Sequence, residues 1–495
     1  MINERPSARS ERTAVRLERQ WRELCSQYLP MAVAGSLWRY HRVHSREQPS
    51  NGWKIHVSAT VLNAGRVLQK VAPLLAGRGV QFKAPASLRD VIRLNSGLSH
   101  GYTQVGKVIT VYPHTPEDMM DLARSLHKLT VRMAAPSVPF DRRYSWNSNV
   151  YYRFGAFQRL EVELDKGSRT LAVHGPNGEL VTDNRQQAKP NWVADPFEGR
   201  HRHSAHQSEV QPLTTYRIFR ALAQRGKGGV YQALDLNVNP PRLCLIKEGR
   251  KYGELTWDGR DGRWRVRNEA RVLKELLAKG VNVPRVYSSF EFDGNSYLVT
   301  EFVDGESLDN LLRRLRIRLP ISRVLKYGIQ LADFFSQLHA AGWVWRDSKP
   351  MNIIVTRSDN LKPLDFEGAS RVGHPDSMLW GTPGFIPPEW REIERQTGLP
   401  DDLFALGSIL YLLSTGSVPE MLSAKSPKAF RRNIPDRLAE LIMSLLSTDP
   451  KCRPQATEAM DRLSKMAEEF PSRRVTRTRE ITATHQTSLN LMMPG

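Results

Sequence analysis

Apolar positions along this chain recur first at strand-like spacing broken by helical stretches, and later at sustained helical spacing. Residues 1–30 are rich in arginine, show helical periodicity and read as a basic helical arm. Between 52 and 160, short apolar runs at 53–59, 80–83 and 108–112 predict strands. The stretches 63–75 and 116–129 predict helices between them. Such alternation builds an α/β or α+β domain. From 160 to 200 the pattern turns to strand and turn, with Pro176-Asn177-Gly178 as a hairpin tip. The polar, histidine-rich stretch 201–208 reads as a solvated linker in preference to a metal site. Beyond 213 strands come first, and helical periodicity then runs through 322–341, 402–415 and 435–446. A small β-rich lobe before a large helical lobe predicts a bilobal domain. The expected division is an arm at 1–30, an α/β domain at 31–200, a linker at 201–212, the bilobal domain at 213–468 and a loose tail at 469–495.

Charge narrows the partners. The 495 residues include 72 Lys plus Arg against 51 Asp plus Glu, a formal net charge of +21, which favours anionic partners. A nucleic-acid-binding reading is disfavoured, because the basic residues are not interleaved with aromatics in a recognisable module. Three scattered cysteines, Cys25, Cys244 and Cys452, exclude a disulfide framework and suit a reducing compartment. The charged N-terminus has no apolar core like that of a signal peptide, and no apolar run approaches the length of a membrane span. The expectation is a soluble cytoplasmic protein.

The densest chemical signal is Trp345-Arg346-Asp347-Ser348-Lys349-Pro350-Met351-Asn352. It resembles the H-R-D-L-x-x-x-N catalytic loop of protein kinases, with Asp and Asn five positions apart. Phosphoryl transfer needs a carboxylate to orient the attacking hydroxyl and an oxygen donor for a metal ion. Asp347 and Asn352 meet those needs, and Lys349 can neutralise charge on the transferred group. Asp365, in Leu364-Asp365-Phe366-Glu367, stands where the metal-binding Asp of the D-F-G motif belongs. Upstream, the turn with Gly226, Gly228, Gly229 and Val230 would let backbone amides approach phosphates. Lys247 is the strand lysine for those phosphates, and Glu269 its helix partner. Thr382 and Glu389 lie in runs that end an activation segment, and Arg453 is the late arginine expected to pair with Glu389. Trp345 in place of His and Glu367 in place of Gly are departures, and the former should cost little because that histidine's role is structural. These motifs imply a Ser/Thr kinase using ATP and Mg²⁺, with Asn352 and Asp365 as metal ligands.

Several longer stretches resemble class III and class IV lanthipeptide synthetases. In the C-terminal half they are Lys247-Glu-Gly-Arg250, Glu269-Ala-Arg-Val-Leu273, Asp365-Phe-Glu-Gly-Ala369 and Gly381-Thr-Pro-Gly-Phe385. In the N-terminal half they are Gly52-Trp-Lys-Ile-His-Val-Ser-Ala59, Gly79-Val-Gln-Phe-Lys83, Gly106-Lys-Val-Ile-Thr-Val-Tyr-Pro113, Asp141-Arg-Arg143 and Val150-Tyr-Tyr-Arg-Phe-Gly-Ala156. The resemblance spans roughly residues 25–465 and implies a phosphothreonine-lyase-like domain followed by a kinase. Such enzymes phosphorylate Ser and Thr of a leader-bearing ribosomal precursor peptide, then eliminate the phosphate to leave dehydroalanine or dehydrobutyrine. Elimination needs a base for the Cα proton, an acid for the leaving phosphate and cations to hold it. The resemblance implies His56 as acid, Lys83 as base, with Lys107 the other lysine open for that role. It implies Lys54, Lys107 and Arg142 as phosphate binders, with Arg143 and Arg153 in reserve. The family carries a cyclase domain after the kinase, for which this chain has too few residues, so the expectation is that ring closure comes from another protein, such as a separate cyclase, or does not happen. The alternative is a Ser/Thr kinase whose N-terminal domain only binds phosphopeptides or regulates.

Overall fold

The computed structural model describes residues 8–470 except 33–34, 43–48, 159, 164–166, 199–211, 316–317, 374–379, 392–397 and 421–423. The expected histidine-rich linker and C-terminal tail lie outside the described residues.

The N-terminal domain rests on one seven-stranded sheet. Its strands are β1 (Met31–Ala32), β2 (Trp38–His41), β3 (Asn51–Val57), β4 (Gln81–Pro85), β5 (Ile109–Tyr112), β6 (Arg142–Arg143) and β7 (Val150–Ala156). Their spatial order is β1-β2-β4-β5-β3-β7-β6, and every neighbouring pair is antiparallel. Side-chain alternation gives this sheet two unlike faces. Trp53, Ile55, Val57, Phe82, Val111 and Tyr152 form a buried core with helices α1 (Ala8–Tyr28), α2 (Ala64–Gly77), α3 (Leu88–Ser96) and α4 (Pro116–Thr130). The intervening positions, among them Lys54, His56, Lys83 and Thr110, belong to the other face.

The N-terminal helix is not a free arm. Trp21, Cys25 and Leu29 are fully buried, and the Trp21 indole N–H donates to the Pro85 carbonyl at 3.2 Å. An apolar stripe at helical spacing, set among arginines, seats α1 on the domain core. Beyond the sheet, β8 (Glu161–Glu163), β9 (Arg169–His174) and β10 (Leu180–Thr182) form a three-stranded antiparallel sheet. The turn between β9 and β10 contains Pro176-Asn177-Gly178 and closes through Gly175 N–H to Glu179 O at 2.8 Å.

The second domain has two lobes. Strands β11 (Tyr216–Arg225), β12 (Gly228–Asp235), β13 (Arg242–Gly249), β14 (Val286–Phe292) and β15 (Asn295–Glu301) form an antiparallel sheet in the order β11-β12-β13-β15-β14, against which α5 (Gly262–Ala278) packs. The helical lobe contains α6 (Leu308–Leu315), α7 (Ile321–Ala340), α8 (Leu399–Thr415), α9 (Asp436–Leu445) and α10 (Ala456–Glu469). Short strands β16 (Gly305–Ser307), β18 (Ile353–Thr356) and β19 (Leu361–Pro363) pair in that order, with β16 and β18 lining the cleft between the lobes, and β17 (Trp343–Val344) precedes the catalytic-loop segment. Helix α8 is buried on nearly all sides, as expected for a helix without a polar face.

Asp402, in the first turn of α8, organises the loop after β17. Its fully buried carboxylate accepts the Trp345 and Arg346 N–H groups at 2.8 and 2.9 Å. It thereby holds Arg346 at φ +72°, a backbone region that non-glycine residues seldom adopt. Asp402→Ala leaves two buried donors without their acceptor and is expected to lower stability by about 3 kcal/mol. A urea titration should show this as a lower midpoint at unchanged slope, and a wild-type midpoint would contradict it.

The two domains touch at the glycine-rich turn. Gly226 N–H donates to Ser96 O at 3.0 Å, and a Cβ on Gly226 would lie 1.6 Å from the Asn95 carbonyl oxygen. Beside this contact the Arg250 guanidinium lies 4.7 Å from the Tyr102 ring centroid.

Candidate active sites

A cavity of about 720 Å³ between the lobes brings together Gly228, Gly229, Val230, Lys247, Glu269, Asn352 and Asp365. Lys247 Nζ meets the Glu269 carboxylate at 2.7 and 2.8 Å and Asp365 Oδ1 at 3.1 Å. Burial alone would lower the lysine's pKa, but the Asp365 and Glu269 carboxylates outweigh it and hold the ammonium charged. Asp365 is held ionised in turn: burial works against it, and Lys247 and Lys227 win. Glycine at 228 is required by φ +156° and by the Glu248 carbonyl oxygen, 1.7 Å from where a Cβ would stand. Gly226 does not join the cavity lining; it faces the N-terminal domain.

The catalytic loop is tied together by its own side chains. Lys349 Nζ donates to Asp347 at 2.6 Å and to Thr382 Oγ1 at 3.0 Å, and Thr382 donates to Asp347 at 3.0 Å. Asn352 spends its Nδ2 on the Asp347 carbonyl oxygen at 3.0 Å, which leaves its amide oxygen for a cation. Burial raises the pKa of Asp347, only partly offset by Lys349, as suits a group that accepts a proton. Trp345 fills the histidine position: its indole N–H donates to the Asp365 carbonyl at 3.0 Å and its ring stacks on Phe366 with centroids 5.4 Å apart. Arg453 grips Glu389 through two buried hydrogen bonds of 2.6 and 2.8 Å. Asn352 and Asp365 offer the hard oxygen donors that Mg²⁺ takes, and Lys247 stands beside them for phosphate.

The open face of the N-terminal sheet carries a second cluster. Cross-strand pairing sets Tyr40, Lys83, Thr110, His56, Tyr151 and Arg143 in a single row. Beside it, Lys54 pairs with Arg153. His56 Nδ1 lies 2.6 Å from Asp141, whose other oxygen accepts from Lys107 Nζ at 2.8 Å. The Asp141 carboxylate is fully buried; burial raises its pKa, but Lys107 and His56 outweigh that and bring it to about 2. The paired carboxylate fixes the imidazole tautomer and leaves Nε2 to exchange protons. Burial drives His56 down to about 3, against the attraction of Asp141. Burial and the Arg153 charge bring Lys54 to about 7, and burial and Arg185 bring Lys83 to about 8. Lys54, Lys83 and Arg185 line a cavity of about 590 Å³.

Register separates the expected phosphate binders. Arg142 pairs across β6–β7 with Tyr152, a core residue, and its guanidinium meets Asp195. It therefore stands on the opposite face from His56, a correction to its expected place. Arg153 takes that place, buried and bonded to Asp183, with its Nε unpartnered among the described residues. Arg143 shares the His56 row but is exposed and spent on the Ser148 and Trp146 carbonyls. Lys107 donates its hydrogen bond to Asp141 and adds its charge to the field around His56. Asp141, Arg185 and Thr382 are the members to which the sequence reading gave no role in the chemistry, although Asp141 and Thr382 both lie within its motifs.

Fold and cleft define a protein kinase domain joined to an α+β domain with a cationic, histidine-bearing face. The chain belongs to the protein kinase family, whose domain model matches residues 226–483. Residues 30–209 match the RamC N-terminal domain. Over 442 residues, 86% of this chain and 45% of the relative, it is 28% identical to a Streptomyces coelicolor protein named Probable SapB synthase. It is also 30% identical to a Clostridium perfringens protein named a probable serine/threonine-protein kinase, over 51% of this chain and 38% of that one. Likeness to serine/threonine-protein kinase D of Synechocystis is 28%, over 51% of this chain and 52% of that one. The chain thus spans about half or less of the length of these relatives. A RamC-type domain, a kinase domain and likeness to a SapB synthase over most of the chain fit a class III/IV-like lanthipeptide synthetase. Among the described residues no helix is long and apolar enough to cross a membrane.

Proposed function

We propose that this kinase is a bifunctional dehydratase of a leader-bearing, ribosomally made precursor peptide. Its cleft phosphorylates Ser or Thr with ATP, and the open sheet face eliminates the phosphate. The observation that carries the reading is the row Lys83-Thr110-His56, with Lys54 and Arg153 beside it, in one chain with a complete kinase cleft.

In the cleft, Asp347 accepts the hydroxyl proton as the substrate oxygen bonds to the terminal phosphorus and that phosphorus breaks from the β,γ-bridging oxygen, releasing ADP; Lys349 balances the charge on the transferred group. Asn352 and Asp365 would hold Mg²⁺, which when bound neutralises phosphate charge. On the sheet, neutral Lys83 takes the Cα proton, the electron pair forms the Cα=Cβ bond, and the Cβ–O bond breaks. The departing phosphate oxygen takes a proton from His56 Nε2. The phosphate dianion itself raises the imidazole's pKa toward the protonated form this step needs. Lys54 and Arg153 hold the phosphate. Lys83 is preferred to Lys107 as base because Lys107 is locked to Asp141. Lys107 serves as a positioning residue through that carboxylate.

Incubating the chain with Mg–ATP and a Ser/Thr-containing precursor peptide is expected to add phosphate mass, then replace it by net loss of water. Phosphopeptide as the final product would instead make the N-terminal domain a phosphopeptide-binding module.

A further inference from the structure

The tip of the glycine-rich turn carries a lysine that neither proposed reaction uses. Lys227, between β11 and β12, forms an ion pair with Glu367. Glu367 follows Asp365-Phe366, so the bridge links the two sides of the nucleotide cleft, and both residues line its cavity. The Lys227 backbone is fixed: its carbonyl accepts the Arg250 N–H at 2.8 Å, and a Cβ on Gly262 would lie 1.8 Å from that oxygen. Next to it, Gly226 is held by Ser96 at 3.0 Å. Glu367 is fixed as well. Asn268 donates to its carbonyl oxygen at 3.1 Å, and the buried Arg265 guanidinium lies 3.7 Å from its carboxylate. A rigid turn thus holds a flexible ammonium among the phosphate-binding groups, matched to one carboxylate.

We propose that Lys227 is a further ligand of the nucleotide's terminal phosphate, and that Glu367 competes with that phosphate for it. The terminal phosphate carries more negative charge and more acceptor oxygens than a carboxylate, so it takes the lysine, and Arg265 balances the released Glu367. A nucleoside diphosphate lacks that phosphate, so the pair distinguishes triphosphate from diphosphate. The inference rests on the nucleotide reading of the cleft.

Calorimetric titration of the full chain with the Mg²⁺ complexes of β,γ-imido-ATP and ADP reads it without turnover. Lys227→Met is expected to lose about tenfold in affinity for the imido analogue, the worth of one charged hydrogen bond, and under about twofold for ADP. Glu367→Gln, which keeps the side chain's shape, is expected to bind the analogue about threefold tighter, since the competitor is gone. The double variant should match Lys227→Met, because no lysine remains to compete for. Equal losses for both nucleotides in Lys227→Met would make the pair a structural brace and overturn the proposal. No gain, or weaker analogue binding, in Glu367→Gln would overturn the competition. Failure of the wild type to bind either nucleotide would overturn the reading of the cleft itself.

Discussion

Asp347→Asn is expected to abolish phosphate transfer to the peptide and, with it, all dehydration. The carboxylate is half-buried between Lys349, Thr382 and the Asn352 amide, and its raised pKa suits a proton acceptor. Asparagine keeps the shape and can still accept from Thr382 and Lys349, so the fold and nucleotide binding should survive. What it loses is the ability to take the hydroxyl proton, a contribution of about 10³-fold in rate. Transfer of labelled terminal phosphate gives the first readout, and the peptide's mass gives the second. Near-wild-type transfer would remove Asp347 from its role. Dehydrated peptide from this variant would break the link between the two reactions.

His56→Ala and Lys83→Ala should instead leave phosphorylation intact and stop one step later. The expected product is phosphopeptide that converts to dehydrated peptide about 10²–10⁴-fold more slowly than with the wild type. Supplying a synthetic phosphopeptide isolates this step from the kinase. Its pH dependence then identifies the base. A lysine must be neutral to take a proton, and burial brings Lys83 to about 8, so the rate should rise with pH through about 8 and level off above it. Bound phosphate dianion moves that rise upward, because negative charge stabilises the ammonium. The rise should vanish in Lys83→Ala; its persistence there would assign the base to another group.

The kinase cleft was legible in the sequence because its chemistry is carried on short contiguous motifs in fixed order. Asp347 and Asn352 share one loop, and the turn that contains Gly228 precedes the strand that carries Lys247. The second site is written differently. Asp141 lies 85 residues from His56, and only folding brings the two together. Choosing between Arg142 and Arg153 depends on strand register, which flips a side chain to the other face for each one-residue shift. Yet the alternation Val150-Tyr151-Tyr152-Arg153 does set Arg153 on the face opposite Tyr152, a signal that was present but hard to weigh without the pairing. The N-terminal helix shows the reverse difficulty. Its arginines suggest a solvated arm, while Trp21 and Cys25, four apart, anchor it to the core.

The contact of Gly226 with the end of α3 makes the boundary between the domains part of both machines. Asn95, whose carbonyl oxygen leaves no room for a Cβ at Gly226, also donates from its side chain to Ala59 O at 3.0 Å and accepts the Gly106 N–H at 3.0 Å. Ala59 lies three residues past His56, and Gly106 immediately precedes Lys107. One asparagine therefore braces the frame of the elimination cluster and abuts the nucleotide turn. The domains are not interchangeable cassettes: a transplanted kinase half with any side chain at 226 would be wedged off its neighbour. A donor for such a chimera has to be chosen by the surface it shows to α3 as much as by its activity.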